Sequence, residues 1–331
     1  MSGNGIAWCV SPDGSPGLSW NPVVGCSPVS AGCQSCWAAA MASRGLCAAH
    51  RGLAVRGHWI PGAGPRFLPE TLAIPLRRQK PTGYAVCLMG DLFHPGVPDE
   101  QIAAVFGGMA ATPQHRYYIL TKRAERMARW FAWVAAQKIT LPLGTVTFAA
   151  LDILGDSEPR LGGPVETTWP LPNVWLGVSV ENQATADERI PHLLRCPAAV
   201  RWVSMEPLLE AVNLRPTWLR RSGVCACARA LAKTGDESAE PEYRKHPACS
   251  ECGRPWLRWR EPLSWIVVGG ESGPRARPCD LAWIRSIRDQ CRAAGAAFFC
   301  KQLPGRNGKV LSDPALFPED LRIREFPNPS A

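Results

Sequence analysis

The sequence predicts an α/β protein built on a mostly parallel sheet, and three observations carry that expectation. Short apolar runs recur along the chain, nearly continuous in hydrophobicity, as strands covered on both faces must be. Segments with helical spacing and recognisable start signals separate them. Each run also ends in charged or hydrogen-bonding residues, where the βα loops of such folds keep their sites.

In chain order, Leu18 to Val24 (LSWNPVV) is the first expected strand. Tyr84 to Met89 (YAVCLM) is the second, and Val97-Pro98-Asp99-Glu100 then opens a helix with proline and acids where a first turn favours them. Arg116 to Leu120 (RYYIL) leads into an expected helix from Thr121 to Ala136. Thr145 to Pro172, rich in Gly, Pro and Thr, reads as an irregular excursion or hairpin. Val174 to Val178 (VWLGV) precedes a helix from Asn182 to Arg195, and Val200 to Val203 (VRWV) follows. Trp265 to Val268 (WIVV), a helix from Asp280 to Ala294, and Ala297 to Cys300 (AFFC) complete the rhythm. About seven strands alternating with helices favour a partial (β/α) barrel over an open doubly wound sheet. The polar, cysteine-bearing stretch Arg220 to Glu261 interrupts this pattern, which divides the chain into a core of residues 1–219 and 262–331 and an inserted subdomain of residues 220–261.

At 331 residues and 46% hydrophobic, the chain can bury a large core. No run approaches the ~18 apolar residues of a membrane span, and the N-terminus MSGNGIAWCVSPDG lacks the pattern of a secretory signal. The expectation is a cytoplasmic protein with no membrane partner. A net charge of +9 and 14 tryptophans suit a polyanion whose bases can stack, so nucleic acid is the candidate partner. In a reducing compartment clustered thiols bind metal or do chemistry. Cys9, Cys47, Cys87, Cys196, Cys279, Cys291 and Cys300 are scattered among apolar neighbours and read as buried small hydrophobes.

The strand ends supply the candidate site. They carry Asp91, then Lys122 and Arg123, Ser179 and Glu181, Ser204 and Glu206, Gly269, Gly270, Glu271 and Ser272, and finally Lys301 beside Gln302. In a parallel barrel, four acids and at least two lysines would meet at one mouth, more than helix capping explains. The stretch GCSPVSAGCQSCWA places Cys26, Cys33 and Cys36 at that same face with spacing C-x6-C-x2-C. A tetrahedral zinc site wants four protein ligands, whereas three thiolates suit a [4Fe–4S] cluster that leaves one iron open. A zinc site completed by a distant His or Cys is the alternative. The inserted stretch carries Cys225, Cys227, Cys249 and Cys252; its CSECG segment has the shape of a zinc knuckle, with His246 as a substitute ligand. Metal would supply much of the folding energy there, and Arg254, Arg258 and Arg260 with Trp256 and Trp259 are expected to touch substrate or a partner.

The motifs WNPVVGCSPVSAGCQSCWA, DLFHPGVPDE, ILTKRAERM, LPNVWLGVSVENQ, ADERIPHLL, RWVSMEPLL, IVVGGESGPRARP and FFCKQ, in this order, resemble the phage Gp37/Gp68-type family, also called DUF5131 proteins, which are similar to radical S-adenosylmethionine (SAM) enzymes. The resemblance implies a partial (β/α) barrel of the TIM-barrel kind with a cluster on Cys26, Cys33 and Cys36. It also implies reductive SAM cleavage fed by an external electron donor. A separate three-Cys-motif partner protein often accompanies relatives. The spacing departs from the C-x3-C-x2-C of most radical SAM enzymes. Under this resemblance Gly269 and Gly270 permit close approach of SAM, with Ser179, Ser204 and Ser272 beside it. Glu271 or Asp91 would receive its ammonium, and Glu181 and Glu206 its ribose hydroxyls. Lys122, Arg123 and Lys301 would meet substrate phosphates or a carboxylate. Spore photoproduct lyase, a DNA-repair enzyme, is a distant relative by the same similarity. The expected function is therefore modification or repair of a nucleic acid or nucleotide; the competing expectation is a non-catalytic zinc-binding nucleic-acid module.

Overall fold

The computed structural model describes residues 5–137, 141–155, 168–220, 222–224, 258–273, 275–305 and 309–327. Seven strands lie side by side in chain order: β1 (Leu18–Trp20), β2 (Gly83–Val86), β3 (Arg116–Thr121), β4 (Val174–Ser179), β5 (Val200–Met205), β6 (Trp265–Gly269) and β7 (Ala297–Pro304). Each is parallel to its neighbours, and β8 (Val310–Leu311) adds an antiparallel edge. The helices longer than four residues are α1 (Trp37–Ala42), α2 (Asp99–Ala110), α3 (Ala124–Ala135), α4 (Pro142–Leu154), α5 (Gln183–Arg195) and α6 (Leu281–Ala294). A doubly wound sheet must reverse its strand order at a switch point, and this order never reverses. Strands β1 and β8 are not paired with each other, so the sheet is an open one among the described residues.

Alternation along the strands sends side chains to two different layers. Tyr84, Tyr117, Ile119, Leu176, Val203, Ile266 and Phe298 pack into the layer that also holds the buried residues of α2, α3, α5 and α6. Ala85, Tyr118, Trp175, Trp202, Trp265 and Phe299 form a second layer with Trp8 and Cys9 from the N-terminal segment. The rings of Tyr118 on β3 and Trp265 on β6 are 6.2 Å apart. In a flat sheet three strand spacings would separate their backbones by about 14 Å. The sheet therefore curls toward this aromatic layer, and Trp8 plugs the hollow, 5.0 Å from Trp202 and 5.8 Å from Tyr118. Gly177 on β4 makes room: a Cβ there would collide with the Trp202 indole.

Local signals set the helix ends. Asn182 accepts from Thr185 N while Thr185 returns a bond to the Asn182 backbone, a capping box at the start of α5. Asp280 caps α6, and Gly295 ends it in the left-handed conformation.

Three local expectations need correction. The strand expected from Leu18 to Val24 ends at Trp20; Pro22 lacks an N–H, and Val23–Val24 leaves to pair antiparallel with Arg66–Phe67. The second strand stops at Val86, where Cys87 turns the chain at φ +55°. The stretch beginning at Thr145 is not irregular as far as Leu154. Pro142 sits in the first turn of α4, where no N–H is needed, and α4 packs on α2 where Gly107 lets Val146 approach. The expected zinc ligands Cys225, Cys227, Cys249 and Cys252 lie outside the described residues; the chain on either side of them forms an antiparallel pair, Ser222–Val224 with Arg258–Arg260. Among the described residues no helix is long and apolar enough to cross a membrane.

Between β1 and β2 the chain builds a small cap. Its core is Val24, Ala38, Ala39, Ala42, Leu53 and Trp59, with Cys26 and Cys36 packed against it. Six of the seven scattered cysteines are buried as expected, but Cys47 is exposed because this small cap has too little interior to cover it.

Candidate functional site

Parallel strands in one sheet present all their C-terminal ends at one edge, so the loops after β1 to β7 meet there. The geometry is built from four ion-paired groups. Asp91, after β2, is buried and accepts from Thr121 Oγ1 at 2.7 Å, Phe93 N at 3.0 Å and Arg123 Nη1 at 2.8 Å. The same guanidinium reaches the cysteine loop. It donates to Cys26 Sγ at 3.3 Å, Ser27 O at 2.8 Å and Ser27 Oγ at 3.0 Å.

Glu181, after β4, is fully buried. It accepts from Lys122 Nζ at 2.6 Å, Ser30 Oγ at 2.9 Å and Arg189 Nη1 at 3.1 Å. Burial pushes its carboxyl upward, but Lys122 and Arg189 outweigh burial and hold it below the ordinary value. Arg189 also donates to the Ser179 carbonyl at 2.8 Å. Gly32 lets the loop approach this group closely, because a Cβ would sit 2.5 Å from Glu181 Oε1.

Glu206, after β5, pairs with Lys301 of β7 at 2.7 Å, as an ion pair rather than a well-aligned hydrogen bond, and Ser204 Oγ lies 3.3 Å from its other oxygen. Gly269 admits this carboxylate, since a Cβ there would stand 2.8 Å from Oε1. The Gly270 carbonyl accepts from Gln302 Nε2 at 2.7 Å. Glu271 is clamped by Arg277 through the side chain at 2.6 and 2.8 Å and the backbone N at 2.8 Å. Burial opposes ionisation there too, yet the Arg277 bonds keep its carboxyl below the usual range. Arg277 then reaches over to Ala31 O at 2.9 Å. Ser272 is exposed. All four carboxylates expected at the mouth are thus held by cations, and a ligand amine must compete for any of them.

The cysteine loop lies across this mouth. Cys33 ends the short turn Ala31–Cys33, and Cys36 immediately precedes α1. Burial, with Asp91 adding to it, pushes the Cys26 thiol up to about 11 despite Arg123; the charge of Cys33 acts in the same direction. His94 is drawn in as well, with Nε2 at 2.8 Å from Ser27 Oγ and Nδ1 accepting from Gly96 N at 3.0 Å. Burial, then Arg123, lowers its pKa, consistent with a neutral ring. Both ring nitrogens of His94 therefore have hydrogen-bond partners.

Three soft sulfur donors from one loop fit the ligand chemistry of an iron–sulfur cluster. Among the described residues no three His, Cys, Asp or Glu side chains are grouped to hold a metal ion. A cleft of about 760 Å³ lies at the other end of the sheet, bordered by Leu219, Ser264, Arg288, Arg292 and Phe298. It is remote from the mouth, since Ser264 and Ala297 stand at the N-terminal ends of β6 and β7.

A family model described as "Protein of unknown function (DUF5131)" matches residues 5–312. The chain belongs to the DUF5131 family. No curated protein and no solved structure matches it. The matched span of this DUF5131 protein contains the cysteine loop and every ion pair of the mouth.

Reading strand ends found Asp91, Lys122, Arg123, Glu181, Glu206, Glu271 and Lys301, and the structure brings them together. It missed Arg189, Arg277, His94 and Ser27. Arg189 had a signal: it is a charged residue on the α5 face that buries Ala186, Ile190 and Leu193. Arg277, in a loop beyond Glu271, had none that local pattern could separate from a surface arginine.

Proposed function

We propose that this DUF5131 protein is an iron–sulfur enzyme of the radical SAM kind, with a [4Fe–4S] cluster on Cys26, Cys33 and Cys36 at the open end of a partial (β/α) barrel, acting on a nucleic acid or nucleotide. One observation carries the reading. The three-cysteine loop is stitched to the C-terminal edge of the sheet by Arg123 at Ser27, Glu181 at Ser30 and Arg277 at Ala31. A zinc knuckle that only stabilises its own loop has no use for ties to three separate strand ends. Charge supports it as well: Lys122, Arg123, Arg189, Arg277 and Lys301 face four carboxylates, leaving one positive charge toward a ligand set of three thiolates.

When bound, the cluster supplies one electron for reductive cleavage of the SAM sulfonium. The chain's own residues do the rest. Arg123 holds Cys26 in place and favours its thiolate, while Asp91 fixes the guanidinium. Lys122 and Lys301, with side chains 19% and 24% exposed, are the cations that a substrate phosphate or carboxylate reaches from outside. A structural zinc on Cys225, Cys227, Cys249 and Cys252, an external electron donor and a separate partner protein belong to the same proposal.

Anaerobic reconstitution tests it. The expected product is brown, with about four irons and matching sulfide per chain, and cleaves SAM on reduction. Cys33→Ala should abolish iron binding and Cys227→Ala should leave it intact. A colourless protein that takes up only zinc overturns the reading in favour of a zinc-binding module.

A further inference from the structure

The cap has a charge pattern that neither the mouth nor the fold requires. From residue 14 to residue 69 the chain contains no Asp and no Glu, yet it carries Arg44, Arg51, Arg56 and Arg66. All four are exposed, and none forms an ion pair among the described residues. Backbone contacts set them in two pairs. Gly57, beside Arg56 at the tip of the ribbon Ala54–Val55/His58–Trp59, donates to Ser43 Oγ at 2.8 Å, which holds the chain at Arg56 near the chain at Arg44. Arg66 donates to the carbonyls of Ala49 and Arg51 at 2.8 and 3.2 Å, which fixes it beside Arg51. Like charges assembled without counterions repel, and a polyanion relieves that repulsion.

The same cap exposes an aromatic ring. Helix α1 turns Ala38, Ala39 and Ala42 inward to Leu53 and Trp59. Its opposite stripe puts Trp37 and Met41, one turn apart, into solvent at 53% and 39% exposure. Trp37 follows Cys36 directly, so the ring stands at the rim of the cysteine loop. An exposed indole costs hydrophobic free energy unless something stacks on it.

We propose that this cap is the docking surface for a single strand of nucleic acid: Arg44, Arg51 and Arg56 take backbone phosphates, and Trp37 stacks a base at the rim of the mouth. An acidic protein would satisfy the arginines but gives no role to a lone ring flanked by cations, whereas a nucleic-acid strand supplies phosphates and π-faces together. The inference rests on the reading that the mouth acts on a nucleic acid, and names the surface that delivers it.

The test is fluorescence anisotropy of the full chain with labelled oligothymidylate and oligouridylate of about 20 nucleotides, titrated across salt concentration. Arg44→Gln/Arg51→Gln/Arg56→Gln should weaken binding at least about tenfold near 0.1 M salt and flatten the log–log salt slope by about 2, at ~0.7 per phosphate contact. Trp37→Ala should weaken binding roughly 5- to 100-fold with the slope unchanged, since stacking releases no counterions. Preference between the two oligonucleotides separates DNA from RNA. An unchanged slope in the triple variant overturns the proposal, as does a polyglutamate chain that competes as well as an oligonucleotide of equal charge. Iron content read in parallel keeps the two proposals apart. A brown chain that binds no oligonucleotide defeats only the docking surface, and a colourless chain that binds it with these effects defeats only the cluster.

Discussion

Replacing Arg123 with methionine removes the cation that holds both Asp91 and the cysteine loop, in a pair whose side chains are only 7% and 6% exposed. Breaking a buried ion pair by deleting one partner costs about 3–5 kcal/mol, because the remaining charge is left without compensation. Asp91 keeps the Thr121 hydroxyl and the Phe93 N–H, which places the cost at the lower end, about 3 kcal/mol. The bonds to Ser27 add little, since that residue is exposed and water replaces them. For a chain of this size the loss corresponds to a melting temperature lower by roughly 4–5 °C. The double variant Asp91→Asn/Arg123→Met carries no orphaned charge and should recover about 2 kcal/mol of the loss, the signature of direct coupling. Urea denaturation of wild type, both single variants and the double variant measures the cycle. A single-variant cost below about 1 kcal/mol, or a double variant no more stable than Arg123→Met, would refute the assignment of Arg123 as the buried tie.

Glu181 gives a pH dependence of definite sign. Its folded carboxyl lies below the ordinary 4.5, so its contribution is complete above that pH and is lost as pH falls further; thermal stability of wild type should drop more steeply below about pH 4.5 than that of Glu181→Gln. Gly32→Ala drives a methyl group into Glu181 and should lift the loop, at about 1–3 kcal/mol, visible as faster proteolysis near Ser30 and poorer iron loading. Gly177→Ala pushes on the Trp202 indole and should destabilise the aromatic layer by a similar amount, read as a lower melting temperature and an altered near-ultraviolet dichroism signal. Exposed Cys47 should react with maleimide in the folded protein, while buried Cys87, Cys196, Cys291 and Cys300, all pushed upward by burial, react only on unfolding.

The core strands were legible because both-face burial leaves a local mark: VWLGV and WIVV are nearly continuous apolar runs, and their neighbours in the sheet are their neighbours in the chain. The helix after Leu141 was misread for an equally local reason. Pro142 and the Gly and Thr residues look like breakers, and only packing against Gly107 of α2 shows that proline starts this helix. The cap was nearly silent, since its strands are two residues long and half of its buried core is alanine.

By itself the sequence determined the order of the elements, the polar strand ends and the three-cysteine loop, because periodicity, caps and motif spacing act over a few residues. Only the tertiary structure decided which cation answers which carboxylate. Ser30 meets Glu181 across 151 residues and Arg277 meets Ala31 across 246, and no local pattern encodes contacts at such separations. They follow from seven parallel strands bringing their ends to one edge, where buried charge is tolerated only once an opposite charge lies against it.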